Sequence, residues 1–315
     1  MDFYLAPLEG ITGYIFRRVI NEMFGEGVVK YYTPFIHPRP KKGMQDKERN
    51  GLLPENNPGI CLVPQLLTND PEAFVSLAEE IRELYGWEEI NLNAGCPSGT
   101  VTAHDKGAGM LRDPKSLDRF LDYVYSHTDL RISVKTRIGI EDPAEFERLL
   151  NIYEKYPVYE LTIHPRVLKD QYRLPVHTGI FYEACRNSQL KLVYNGDIFS
   201  VTDYERIIRP AGIPVENRIN AVMLGRGMLK DPSLARQLSG GQAATNEELS
   251  RYLHRIYEEY RSLYQGDDSV VLFRMKELWF YLGQRFPEKE KALKKLRKAK
   301  TRAEYDAAER EILQF

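Results

Sequence analysis

The side chains best suited to chemistry sit where apolar runs end. Ile90-Asn91-Leu92-Asn93 stops in a Gly95-Cys96-Pro97 corner. Gly95 allows a tight turn and Pro97 fixes φ beyond it, so the Cys96 thiol is presented in a defined direction just past a strand. A free cysteine also serves as a small core hydrophobe, but that role suits one inside a strand better than one in a Gly/Pro corner. Other apolar runs end in the same manner, at Glu9, Gln65, Lys135 with Arg137, His164 with Arg166, Asn195 with Asp197, and Arg226. A thiol so placed can donate a proton or attack an electrophile. Asn195-Gly196-Asp197 and Gly225-Arg226-Gly227 let backbone N–H groups approach a phosphate, with Arg226 able to pair bidentately. Lys135 and His164 supply the positive charge or donors that the reduced ring of a flavin needs. A Schiff-base Lys135 is the competing chemistry.

Seven reactive strand ends are useful only if the strands bring them together. Strand and helix signals alternate through residues 1–238, and runs such as ICLVPQL, RISVK and AVMLG are apolar on both faces, as helix-covered parallel strands are. A doubly wound open sheet and a (β/α)₈ barrel both fit this alternation. Only the barrel collects every C-terminal strand end on one face, so a TIM barrel is the fold expected. Asp70-Pro71 predicts a helix start, with Asp70 as cap, running to Tyr85. Residues 34–58, rich in Pro, Gly, Lys and Asn, are expected as one long irregular segment, a lid or binding surface.

Residues 239–246, Ser-Gly-Gly-Gln-Ala-Ala-Thr-Asn, read as a linker, and residues 247–315 as a separate bundle of four helices. Between Arg285 and Arg302 nine cationic residues face two acidic ones, an excess of +7 in a chain whose net charge is −1. Lys294, Lys295, Arg297 and Lys298 lie in this run. It reads either as a solvated helix face or as a footprint for a phosphate backbone. Upstream, Trp279, Phe280 and Tyr281 are either stacking platforms or bundle core. The three cysteines, Cys61, Cys96 and Cys185, form no CxxC pair, which disfavours a zinc site or a disulfide framework. No run of about 18 apolar residues points to a membrane span, and the N-terminus lacks the pattern of a signal peptide. A cytoplasmic monomer without a metal is expected.

With these residues assembled, the chain resembles the tRNA-dihydrouridine synthase family over nearly its whole length. The motifs stand in order: APLEGIT (6–12), PQL (64–66), LNAGCPS (92–98), GAGML (107–111), VKTRIG (134–139), IHPR (163–166), YNGDI (194–198), VMLGRGML (222–229) and, in the tail, FRMKELWFYLG (273–283). The resemblance implies an FMN enzyme that reduces the uracil C5–C6 bond of uridine in tRNA, with NADPH as electron source. It assigns Pro7, Leu8, Glu9, Gln65, Lys135 and His164 to the flavin ring. Asn195, Gly196, Asp197, Gly225 and Arg226 fall to its phosphate, Asn93 to flavin or uracil, and Cys96 to proton donation. Arg137, Arg166 and the four basic residues above are expected to contact RNA.

Two stretches depart from the family pattern: His164-Pro165-Arg166-Val167 with Leu168 to Thr178, and Thr33-Pro34-Phe35, where a glutamate is usual. Both point to altered substrate contacts, so another structured RNA such as rRNA is an alternative substrate. A reductase of a small pyrimidine and a non-catalytic RNA-binding module are the rival functions.

Overall fold

The computed structural model describes every residue except Pro40, Lys41, Ala211, Ile213 and Phe315. Nine parallel strands form one sheet: β1 (Asp2–Leu5), β2 (Val28–Tyr32), β3 (Leu62–Val63), β4 (Gln65–Leu66), β5 (Glu89–Ala94), β6 (Arg131–Arg137), β7 (Leu161–His164), β8 (Leu192–Tyr194) and β9 (Ile219–Leu224). Their order is β3-β2-β1-β9-β8-β7-β6-β5-β4. The two edges, β3 and β4, are separated only by Pro64. The carbonyls of Cys61 and Val63 accept from Tyr31 and Thr33 beside β2, whereas the Pro64 carbonyl accepts from Asn91 of β5 at 2.8 Å. One stretch of chain thus serves both neighbours and closes the barrel, as expected. The sequence predicted a single strand over 59–66; Pro64 splits it because proline has no N–H for a ladder.

Ten helices accompany the barrel: α1 (Tyr14–Phe24), α2 (Asp46–Leu52), α3 (Pro71–Tyr85), α4 (Gly99–Thr102), α5 (Pro114–His127), α6 (Glu145–Tyr153), α7 (Thr178–Asn187), α8 (Val201–Ile208), α9 (Arg226–Lys230) and α10 (Leu234–Leu238). α3 shows how local sequence sets them. Asp70 caps its first turn by accepting from the Ala73 N–H, Pro71 opens it, and Gly86, at φ 76°, ends it. Its Phe74, Leu77, Ala78 and Ile81 face the core. The segment 34–58 is not wholly irregular: it contains α2, at whose start Glu48 Oε2 accepts from the Gln45 N–H at 2.7 Å. Buried Arg17 ties this strap to α1, donating to the carbonyls of Thr12 and Gly51 and to Asn57 Oδ1 at 2.7–2.9 Å.

The tail forms the four helices expected, α11 (Asn246–Leu263), α12 (Asp268–Leu282), α13 (Glu290–Lys298) and α14 (Arg302–Leu313). Their apolar core is continuous with that outside the barrel strands. α11 packs on α1 and α12 on α9; Phe24 meets Tyr252 edge-on at 5.6 Å. The stretch 239–246 is pinned: the Ala244 N–H donates to Ser233 Oγ at 2.8 Å and its carbonyl accepts from Arg285. No helix among the described residues is long and apolar enough to cross a membrane.

The barrel interior is apolar in one cluster around Tyr4, Tyr32, Val63 and Val193, and charged beside it. Lys30 lies between Glu89 (2.7 Å) and Glu160 (2.8 Å), and Glu160 also accepts from Tyr4 and Asn220. All three charged side chains are buried or nearly so. Burial pushes the Glu89 carboxyl upward, and Lys30 opposes that shift.

Lys30→Met leaves two buried carboxylates uncompensated, and the expected loss of stability at pH 7.5 is about 3 kcal/mol. With Lys30 gone, the Glu89 carboxyl, already raised by burial, rises further above its unfolded value in the folded state. The folded state then binds protons more readily than the unfolded, so stability returns as pH falls. Urea unfolding midpoints at pH 7.5 and 5 check this; a variant with unchanged midpoints, or one losing more at pH 5, contradicts it.

Candidate active site

The C-terminal strand ends open into a cavity of about 600 Å³. Pro7, Leu8 and Glu9 after β1, Gln65 on β4, Asn93 on β5 and Cys96 just beyond it line the cavity. So do Lys135 on β6, His164 on β7, Asn195, Gly196 and Asp197 after β8, and Gly225 and Arg226 after β9. These thirteen residues were singled out from the sequence, and the closed barrel gathers them on one wall.

The Cys96 corner is held from two sides. Asn93 Oδ1 accepts from the N–H groups of Gly95 (3.1 Å) and Cys96 (2.9 Å). Behind the corner, the Arg137 guanidinium is fully buried and donates to the carbonyls of Gly95, Val167 and Gln171 at 2.9–3.0 Å. It lies outside the cavity lining, so the RNA contact expected of Arg137 is corrected: its donors are spent on backbone. Gly107, at φ +56°, packs so closely on the corner that a Cβ there would lie 2.8 Å from the Cys96 carbonyl oxygen. This close approach explains the GAGML motif.

A one-way chain of hydrogen bonds runs from the corner into the barrel. Asn93 donates to Gln65 Oε1 (2.8 Å), Gln65 to Asn91 Oδ1 (2.8 Å), Asn91 to Ser133 Oγ (2.9 Å), and Ser133 to Glu89 (2.9 Å). Each amide has its orientation fixed by both neighbours. Asn93 therefore keeps only N–H available to a ligand.

The wall is electropositive. Lys135 has no hydrogen-bond partner among the described residues, and burial, aided by Arg137, lowers its ammonium to about 8. The His164 ring is held well below its usual range by burial and by Lys135, Arg137, Arg166 and Arg226. His164 Nε2 accepts from Arg166 at 3.0 Å, which leaves the proton of the neutral ring on Nδ1. The sequence left open a cation or a donor at this position; the ring is a neutral donor. Arg166 and Arg226 both pair with the Asp197 carboxylate. Arg166 is buried, also donates to the Leu174 carbonyl, and like Arg137 is no free RNA ligand. Burial raises the Cys96 thiol above its ordinary value, outweighing the nearby cations. It is a protonated thiol at neutral pH.

Phe35, Tyr172, Phe280, Tyr281 and Gln284 are among the lining residues not singled out as site residues. Tyr172 is stacked beside His164 with ring centroids 5.8 Å apart, and the Arg226 guanidinium lies 4.5 Å from its ring. It belongs to the stretch Leu168 to Thr178 that departs from the family pattern, and no motif marks it. The aromatic trio on α12 divides. Trp279 is core, donating to Tyr305 at 2.8 Å, while Phe280 is exposed and Tyr281 half-buried at the cavity mouth. Lys294, Lys295, Arg297 and Lys298 are exposed on α13, away from the lining; Lys294 pairs with Glu290 and Lys295 with Glu311. Among the described residues no group of three or more His, Cys, Asp or Glu side chains is arranged to hold a metal ion.

A parallel barrel whose mouth gathers a protonated thiol, an unpartnered amine and a neutral imidazole is the layout of a barrel enzyme. The chain belongs to the dihydrouridine synthase family, whose model, "Dihydrouridine synthase (Dus)", matches residues 4–314. It is similar to a tRNA-dihydrouridine(16) synthase of Cupriavidus necator, at 27% identity over 88% of each chain. A tRNA-dihydrouridine(16) synthase of Shewanella oneidensis is 25% identical over 96% of each. Among solved structures, a variant of NCR from Zymomonas mobilis aligns with a TM-score of 0.49 at 11% identity, covering 78% of this chain and 88% of that one.

Because burial dominates the Cys96 environment, its alkylation by iodoacetamide should be slow at pH 7 and rise to a midpoint above that of an ordinary cysteine thiol. Peptide mapping by mass spectrometry separates Cys96 from Cys61 and Cys185. Rapid labelling of Cys96 at pH 6 would show an activated thiolate instead.

Proposed function

We propose that the protein reduces the C5–C6 bond of uridine in tRNA to 5,6-dihydrouridine, using FMN with NADPH as electron source. The convergence of Cys96, Lys135 and His164 on one cavity carries this reading, and membership of the dihydrouridine synthase family supports it. The names of similar proteins point to tRNA. The donor set suits a flavin nucleotide. An unpartnered half-buried ammonium, an imidazole N–H and the Gln65 and Asn93 amides suit an electron-rich ring. Asp197 lies between two guanidinium groups, so that end of the cavity keeps a positive excess for a phosphate. The volume lies within the range of cofactor sites.

In this reading Lys135, His164, Pro7, Leu8 and Glu9 would hold the flavin ring, with the Lys135 ammonium and the His164 Nδ1–H as donors to it. Asn195, Gly196, Asp197, Gly225 and Arg226 surround its phosphate. When bound, the flavin supplies the hydride taken up at uracil C6. Cys96 Sγ–H then delivers a proton to C5, which requires the thiol to be protonated beforehand. The burial that raises its pKa secures this. Asn93, with only N–H to offer, donates to a carbonyl of the base or the ring. The reacting uridine must leave its stack to reach a cavity this deep, and Tyr172, Phe280 and Tyr281 offer aromatic faces at the mouth. Arg137 acts through position, fixing the corner that aims the thiol.

Cys96→Ala should leave the purified protein yellow and cut dihydrouridine formation in tRNA by about 10²–10⁴-fold, the usual range for losing a positioned acid. Turnover within a fewfold of wild type would remove the thiol from the reaction. Affinity for tRNA should fall steeply with salt. Replacing Lys294, Lys295, Arg297 and Lys298 together by Ala should flatten that dependence; an unchanged slope would mark α13 as a solvated face.

A further inference from the structure

Beside the main cavity lies a second one of about 260 Å³, and the two share the side chains of Glu9 and Phe35. We propose that this cavity binds the nucleobase adjacent to the reacting uridine, so that the enzyme grips two neighbouring nucleotides in two pockets. The proposal rests on the functional reading above.

The lining of the second cavity carries its chemistry. Phe35 and His37, from the strap between β2 and α2, meet edge-to-face at 5.2 Å. Tyr260 of α11 and Tyr264, the residue that ends it, lie nearly parallel with centroids 6.1 Å apart. Barrel and bundle thus each contribute an aromatic pair to one cavity large enough for a base. Such faces stack on any base without reading its sequence. His37 adds an edge. Its Nδ1 lies 3.2 Å from the Leu67 carbonyl, which places the proton there, and partial burial keeps the ring neutral. Nε2 is left as an acceptor for an exocyclic amine or ring N–H.

The rim is charged in the sense a phosphodiester needs. Lys47 pairs with Glu9 at 3.3 Å, and both are more than 40% exposed, so a phosphate entering between the cavities can take Lys47 over. Arg274 also lines the cavity, anchored by Glu277 at 2.9 Å. Continuity supplies the last step. A uridine drawn into the main cavity loses its stacking neighbours, and the base covalently next to it arrives unstacked at the shared wall of Phe35. A pocket of aromatic faces there restores the lost stacking.

The test uses the full-length holoenzyme and a tRNA whose modified uridine has been mapped by mass spectrometry. RNAs lacking the base on one side of that uridine or the other are compared with the intact RNA, on wild type and on His37→Ala and Tyr264→Leu. We expect one of the two abasic RNAs to bind wild type about tenfold more weakly, within the range for losing one stacked base. The two protein variants should weaken intact RNA similarly, yet bind that abasic RNA like wild type. Abasic RNAs that both bind within twofold of intact RNA overturn the proposal. Additive losses from variant and missing base do so as well. So does a variant that leaves RNA affinity intact while slowing reduction by NADPH, which would place the reductant there. Failure of wild type to form dihydrouridine in intact tRNA counts against the functional reading itself, whereas a working control with no coupling counts against the pocket alone.

Discussion

The structure depends on how charge is distributed along the barrel axis. Lys30 lies between two carboxylates in the interior, leaving that end one negative charge in excess, while the mouth collects Lys135, Arg137, Arg166 and Arg226 against Asp197 and exposed Glu9. Charges in a low-dielectric interior are tolerated only when paired or hydrogen-bonded. The negative end satisfies that rule internally through Tyr4, Asn220 and Ser133. The positive end does not: Lys135, half-buried in the cavity wall, has no hydrogen-bond partner among the described residues. An interior completed at one end and left electron-poor at the other is arranged for an electron-rich ligand at the mouth.

Between the two ends runs the amide chain from Glu89 to the Cys96 corner. A carboxylate can only accept, so Ser133 must donate to it, and each later member inherits its direction. The backbone N–H groups at Gly95 and Cys96 demand an acceptor at the other terminus, and the two requirements agree. No amide has a competing orientation of equal energy, so the thiol is aimed by bonds that never touch it. Satisfied buried networks specify a single arrangement, whereas partly satisfied ones are costly. That is how a corner between a strand and a loop stays rigid.

Much of this was legible beforehand because strand periodicity and turn chemistry are local. The Gly-Cys-Pro corner, the polar residue ending each strand, and the Asp70-Pro71 helix start each announce themselves within a few residues. What failed was long-range. Arg137 and Arg166 look like ligands in the sequence, because a guanidinium at a strand end does not reveal that Gly95, Val167, Gln171 and Leu174 will offer it carbonyls. The start of α2 in the strap gives little signal because Gln45, not Ser or Thr, heads it and only Glu48 closes the turn. Tyr172 carries no periodic signal; it reaches the site because Gln171, at φ +52°, turns the chain before it. The split of Trp279 from Phe280 follows from neighbouring helix positions facing about 100° apart, and which one is buried depends on Tyr305.

The tail helices shape the site as well as extending the molecule. α12 and the turn after it bring Phe280, Tyr281 and Gln284 to the mouth of the main cavity, and α11 with the residue that ends it brings Tyr260 and Tyr264 to the second. Each cavity is therefore bounded by barrel on one side and bundle on the other, and stays so only while α11 remains packed on α1 and α12 on α9. The pinned stretch around Ala244 and the Arg236–Glu248 pair hold that registry where a loose linker would let it wander. A small free pyrimidine would need only the barrel half of such a site. Walls drawn from both halves, with exposed aromatic faces and a basic helix beyond them, leave room for a ligand larger than a single free base.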